Sequence, residues 1–195
     1  MQASSKMKRA FELFDAANSM DPNTEFADGE LQPKELLYAK RMTAVLNTFY
    51  PQASEALQLT ARCQHLCRWE IPRDSFEMNR TGYLKWRQDL KSFHAQKASV
   101  ILDKIGYEED MIERVRFLLL KKKLKRDQET QTLEDVICLV FLEYYYEDFL
   151  SKHSDDKIIT ILQKTWRKMS SAGQKAALKL SFSQRGEFLI NQALM

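Results

Sequence analysis

The chain has 195 residues and a formal net charge of +3; it is 44% hydrophobic and 29% charged, with 5 glycines and 4 prolines. This is enough chain to bury a core, with little turn material for many short strands. A charge so close to balance argues against nucleic-acid binding by bulk electrostatics. No apolar run approaches the ~20 residues of a membrane span, and an odd count of 3 cysteines without a secretory leader argues against a disulfide framework. A cytoplasmic protein is the expectation.

Met7, Ala10, Phe11, Leu13, Phe14 and Ala17 recur at helical spacing and predict a first helix over 4–20, ended by Asp21-Pro22-Asn23. Phe26 to Glu30 reads as a polar loop. Pro33 suits the first turn of a second helix reaching Tyr50, with Leu36, Leu37, Ala39, Met42, Val45, Leu46 and Phe49 on its buried face. A third helix is expected from Ala53 to Trp69, closed by Pro72, with an irregular connector to Asn79. Cys63 and Cys67 fall on it one turn apart. No second pair of ligands follows to complete a zinc site, so they read as small core residues.

Thr81 is the expected N-cap of a fourth helix running to Ile105, where Gly106 stops it. On it Tyr83, Trp86, Leu90, Phe93, Lys97 and Ile101 form one stripe, and Arg80, Arg87, Lys91 and His94 the next. A row of donors thus lies beside a row of aromatics. Glu108, Glu109 and Asp110 crowd the start of a fifth helix and Lys121-Lys122-Lys123 its end, the signs the helix dipole favours. Thr130 or Thr132 caps a sixth, whose Val136 to Leu142 run is apolar all round and belongs at the centre. Ser154 caps a seventh through Met169, and short helices around Gln174–Leu180 and Gln184–Leu194 finish the chain. The fold class is all-α: a single helical domain over 1–195, with a core at about 33–150 and a C-terminal extension at 151–195.

Chemistry-bearing residues concentrate between Ala61 and Ala95. His65 and His94, with Asp135 on a later helix, form a set that could bind a divalent transition ion: manganese, iron, cobalt, nickel or zinc. The plainer roles are a hydrogen-bonded structural histidine, a half-exposed surface histidine and a carboxylate paired with an arginine. Arg62, Arg68, Arg73, Arg80, Arg87 and Lys91 surround the two histidines in sequence, interleaved with Trp69, Tyr83 and Trp86. Guanidinium forks match phosphate oxygens and aromatic rings stack on bases, so a phosphate ester or nucleotide-like small molecule is the expected partner. The plainer alternative is a solvated basic face balanced by Glu70, Asp74, Glu77 and Asp89.

Some of these segments also carry a resemblance. Pro33-Lys-Glu-Leu-Leu-Tyr38, Gln64-His65-Leu-Cys-Arg68-Trp69-Glu-Ile-Pro72-Arg73, Gly82-Tyr83-Leu-Lys-Trp86-Arg87, His94-Ala95, Leu133-Glu-Asp135 and Lys164-Thr-Trp166-Arg167-Lys168-Met169-Ser170 resemble domain-of-unknown-function family 4202 over nearly the entire chain. More remotely, about Pro33 to Tyr146 looks like the HD-domain phosphohydrolases. That likeness implies a metal that activates water against a phosphate ester, with His65, His94 and Asp135 as its ligands and Glu35 or Glu70 as supplements. The sequence departs from the HD pattern at two positions: Leu66 stands where the dyad aspartate would, and Tyr38 where the first histidine would. The resulting expectation is an HD-like protein binding a phosphorylated or nucleotide-like ligand, with metal-dependent hydrolysis as its catalytic form. A non-catalytic ligand sensor or interaction module is the alternative, and RNA binding through Lys121 to Arg126 a second one.

Overall fold

The computed structural model describes residues 4–195. Among them are ten α-helices: α1 (Ser5–Asn18), α2 (Lys34–Phe49), α3 (Glu55–Cys63), α4 (Arg80–Ile105), α5 (Glu109–Leu119), α6 (Gln128–Val140), α7 (Tyr146–Lys152), α8 (Asp155–Lys168), α9 (Ser171–Ala177) and α10 (Gln184–Leu194). The fold is all-α. One antiparallel hairpin, β1 (Thr24–Ala27) with β2 (Glu30–Pro33), interrupts it where a polar loop is predicted. Its tip is Asp28-Gly29, both with positive φ (53° and 87°), as a tight two-residue hairpin turn requires. Pro33 consequently ends a strand opposite Thr24, and α2 starts one residue later.

Two compact units make up the chain. The first takes the described residues up to Asn47 together with Gln52–Lys122; the second takes Thr48–Pro51 with Lys123–Met195. The break at 122–123 adjoins a turn in which Lys121, Lys123 and Lys125 all adopt left-handed backbone (φ 54°, 54° and 70°), so α5 cannot continue. The expected boundary between core and extension lies further on, at 150–151.

In the first unit α4 packs on α1 and α5, and α3 packs on α1 and α5. Its core includes Phe14, Met42, Leu46, Leu57, Leu59, Leu66, Leu102 and Leu118. In the second, α6 packs on α8 and α9 and α10 packs on α7 and α8. Val136, Leu139, Val140 and Leu142 are buried there as the apolar run predicts, the last inside a π-helical turn, Phe141–Tyr145, between α6 and α7. Among the described residues no helix is long and apolar enough to cross a membrane.

Local capping explains the shifted boundaries. Asn79 rather than Thr81 caps α4, accepting the Gly82 N–H at 2.8 Å, and left-handed Gly106 ends that helix. Asp127 rather than Thr130 or Thr132 caps α6, accepting the Thr130 N–H at 2.9 Å. The largest difference is α3, which stops at Cys63 instead of reaching Trp69. Cys67 sits at φ 53°, a left-handed conformation that no helix propagates. Residues 64–67 therefore form a turn, followed by short 3-10 turns at Arg68–Glu70 and Arg73–Ser75. His65 belongs to that turn.

Candidate functional site

The turn carrying His65 is fixed by a residue that the sequence pattern does not single out. Asn18, fully buried at the end of α1, accepts the Cys67 N–H on its side-chain oxygen at 2.9 Å and donates its side-chain N–H to the Glu35 carbonyl at 3.3 Å. One amide thus ties α1, the start of α2 and the turn after α3. Asp21 completes the frame: one oxygen accepts the Asn23 N–H at 2.9 Å and the other the Glu35 N–H at 3.0 Å, capping the first turn of α2 from a distance. Asn18→Ala is expected to cost about 2 kcal/mol, because the Cys67 N–H loses its acceptor in the core. A urea titration followed by hydrogen exchange of 52–79 would measure it.

That frame presents Glu35 to His65. The Glu35 side chain is 6% exposed; one of its oxygens lies 3.1 Å from His65 Nδ1 and the other 3.4 Å from Arg68 Nη1. The His65 ring stacks on Tyr38, centroids 4.0 Å apart and planes 11° apart, and Tyr38 Oη donates to Gln64 Oε1 at 3.2 Å. Burial raises the Glu35 pKa, with Arg68 opposing. For His65, burial holds the imidazole well below its usual pKa, and the charges of Arg68, Arg87, Lys121 and Lys34 press the same way. Four cations therefore bear on one neutral ring.

His94 is the second imidazole, its ring centroid 5.8 Å from that of His65. It follows Arg87 and Lys91 along the same side of α4 but is buried where they are half-buried, so it is not the half-exposed surface histidine of the plainer reading. On α4 the buried positions run Trp86, Leu90, His94, Ala98 and Leu102, a four-residue ladder that takes His94 into the core at 4% exposure. Its Nδ1 stands 2.9 Å from the Leu66 carbonyl. A carbonyl only accepts, so Nδ1 carries the proton and Nε2 is left as a lone pair. That Nε2 is buried and meets no hydrogen-bond partner among the described residues. Burial, then the neighbouring His65, lowers the pKa of His94 to about 3.

The expected ligand-binding residues separate into three groups. Arg68 lies with its guanidinium carbon 4.9 Å from the Trp86 ring centroid and faces Glu35; Arg87 is half-buried, bears on His65, and makes no ion pair among the described residues. Arg73 holds the connector: it donates to the carbonyls of Phe76 (3.0 Å), Glu77 (2.7 Å) and Asn79 (3.3 Å), and its guanidinium carbon is 6.0 Å from the Tyr83 ring. Trp86 is itself a buried strut, its indole N–H donating to the Ile71 carbonyl at 2.9 Å. Trp69 and Lys91 are half-buried, while Tyr83 (44% exposed) and Arg80 are exposed. Arg62 is spent on Asp15 and Thr43, and Glu70 pairs with Lys97 at 2.5 Å.

Asp135 belongs to the second unit, where its carboxylate is engaged. Oδ1 accepts the Ser170 N–H (2.7 Å) and a Gln131 side-chain N–H (3.0 Å), and Oδ2 accepts the Ser170 hydroxyl (2.5 Å). Gly173 allows that approach: a Cβ there would stand 2.7 Å from the carboxyl carbon. These partners are backbone, hydroxyl and amide, not the arginine the sequence suggests. Among the described residues no group of three His, Cys, Asp or Glu is placed to hold a metal ion; of the expected set, His65 and His94 belong to the first unit and Asp135 to the second. An apolar cleft in the second unit is lined by Leu142, Leu162, Trp166, Phe182 and Ile190, with no titratable group in its lining.

A family model described as Domain of unknown function (DUF4202) matches residues 8–190. No curated protein and no solved structure matches the chain.

Proposed function

We propose, for a chain that belongs to the Domain of unknown function (DUF4202) family, that it binds a phosphorylated or nucleotide-like anionic small molecule at the His65 face of the first unit. One observation carries this reading: the charges of Arg68 and Arg87, with smaller contributions from Lys121 and Lys34, bear on His65, and Glu35, the carboxylate beside the ring, is already paired with Arg68. Like charges held together raise the energy of the protein without a ligand, and an anion relieves it. The same field repels a divalent cation. Metal-dependent hydrolysis would further need a third ligand beside the two imidazoles, so binding is the form of the reading the geometry favours. Arg68 is the contact that can match a phosphate edge, its guanidinium lying over the Trp86 ring, and Arg87 makes no ion pair among the described residues that a ligand would have to displace.

The test is thermal melting of the intact protein with inorganic phosphate and a panel of nucleoside mono-, di- and triphosphates. A ligand at one hundred times its Kd stabilises by about 2.7 kcal/mol, so the midpoint should rise by several degrees, more at low salt. Arg87→Ala should remove most of that rise and leave the ligand-free midpoint within about 0.5 kcal/mol of the parent. A panel that moves nothing rejects the reading.

A further inference from the structure

We infer that the anion taken at this site carries an O–H that donates a hydrogen bond to His94 Nε2, so that the site selects hydrogen phosphate, or a phosphate ester with a neighbouring hydroxyl, over sulfate. This rests on the anion-binding reading and deepens it.

The inference starts from hydrogen-bond inventory. The Leu66 carbonyl, 2.9 Å from His94 Nδ1, fixes the tautomer and leaves Nε2 able only to accept. That atom is buried without a partner among the described residues. Buried acceptors without a donor are rare and costly, and one that the chain leaves unmet calls for a partner, either a water or a donor on a ligand. The side chains bordering His94 are candidates to give way to such a donor. His65, at 5.8 Å between ring centroids, is 22% exposed, and Arg68, whose charge bears on His94, is 27% exposed.

Arg68 links two requirements, since its charge bears on both His65 and His94, whose ring centroids are 5.8 Å apart. The cations ask for negative charge; the His94 lone pair asks for an O–H or N–H. Sulfate meets the first and offends the second, since its oxygens carry only lone pairs and would be pushed against another. Hydrogen phosphate meets both. A metal ion would satisfy the lone pair but not the four cations. Sites that bind a hydroxyl through a buried acceptor reject analogues lacking it far more strongly than apolar pockets reject size changes, because the wrong ligand leaves the acceptor unmet.

The experiment is isothermal titration of the full chain with inorganic phosphate and with sulfate in mildly alkaline buffer. There hydrogen phosphate and sulfate are both dianions of similar size and differ by one proton. Phosphate is expected to bind at least about tenfold tighter. In His94→Gln, whose amide supplies a donor as well as an acceptor, the preference should narrow or reverse. Equal affinities in the parent protein overturn the inference, since a water would then be meeting Nε2, while leaving anion binding in place. A preference for sulfate overturns it likewise. Absence of binding by either ion, with an unmoved nucleotide panel, overturns both readings. A folded His94→Gln that keeps the full preference shows that another residue makes the choice and also overturns it; should that variant fail to fold, the parent comparison still decides.

Discussion

Asp135→Ala is expected to destabilise the second unit by about 3 kcal/mol and to leave phosphate binding at the His65 face unchanged. Asp135 is 2% exposed, and its two oxygens accept from the Ser170 backbone, the Ser170 hydroxyl and Gln131. Removing it strands the N–H and the hydroxyl that start α9, and hydrogen bonds to a carboxylate are worth about 1.5–3 kcal/mol each before relaxation. The Ser170 hydroxyl also accepts the Gly173 N–H at 3.1 Å, so the loss should spread through the first turn of α9. Asp135→Asn keeps one acceptor and should lose less. Because a two-unit chain need not unfold in one step, the readout is hydrogen exchange by peptide, 128–140 and 169–178 against 52–105. Lost phosphate affinity with unchanged protection around α9 would mean that Asp135 serves a ligand rather than the fold.

The sequence shows the helices because their signal is periodic, and it hides what depends on backbone handedness. Val136 to Leu142 could be placed in the core from composition alone, and Gly106 could be placed as a helix stop because glycine announces left-handed backbone. Cys67 announces nothing, yet its φ of 53° ends the turn after α3 and takes His65 out of a helix. His94 was readable as a candidate but not as buried: whether the inward row of α4 passes through Phe93 or His94 depends on how that long helix lies on α1 and α5. Glu35 showed only as a supplementary ligand, since its pairing needs the Asn18 and Asp21 contacts across loops. The same holds for Arg68 and Arg73. Spacing marks both as donors, but only coordinates show that one faces Glu35 while the other is consumed by three carbonyls. Asp135 reads as a buried carboxylate in need of a partner, and the partner proved to be Ser170.

Acid is expected to destabilise the first unit from just below pH 6.5, through His94 and His65. In the unfolded chain both histidines take up a proton as pH falls through 6.5, whereas native His94 resists until about 3. Native His65 likewise titrates well below 6.5. Where the unfolded state binds more protons, stability falls as pH falls, so stability fully present above 6.5 is lost progressively down to the native values. For His94 the loss should reach on the order of 4 kcal/mol at the acid end, and His65 adds to it with the same sign. Glu35 works in the other direction: its native pKa lies above 4.5, so its contribution is present below that value and is lost as pH rises through the native one. It therefore offsets part of the acid loss. Arg68, Arg87, Lys34 and Lys121 stay charged throughout and keep opposing the imidazolium. Trp69 and Trp86 report the first unit once Trp166 is replaced by Phe, so their fluorescence in urea gives the unit's midpoint at each pH. The midpoint should drop steadily from about pH 6.5 to about pH 5, and His94→Gln should flatten much of that drop. A midpoint that stays level across this range in the parent protein would show that the two imidazoles protonate in the native state as readily as in the unfolded chain, against the burial that holds both pKa values down.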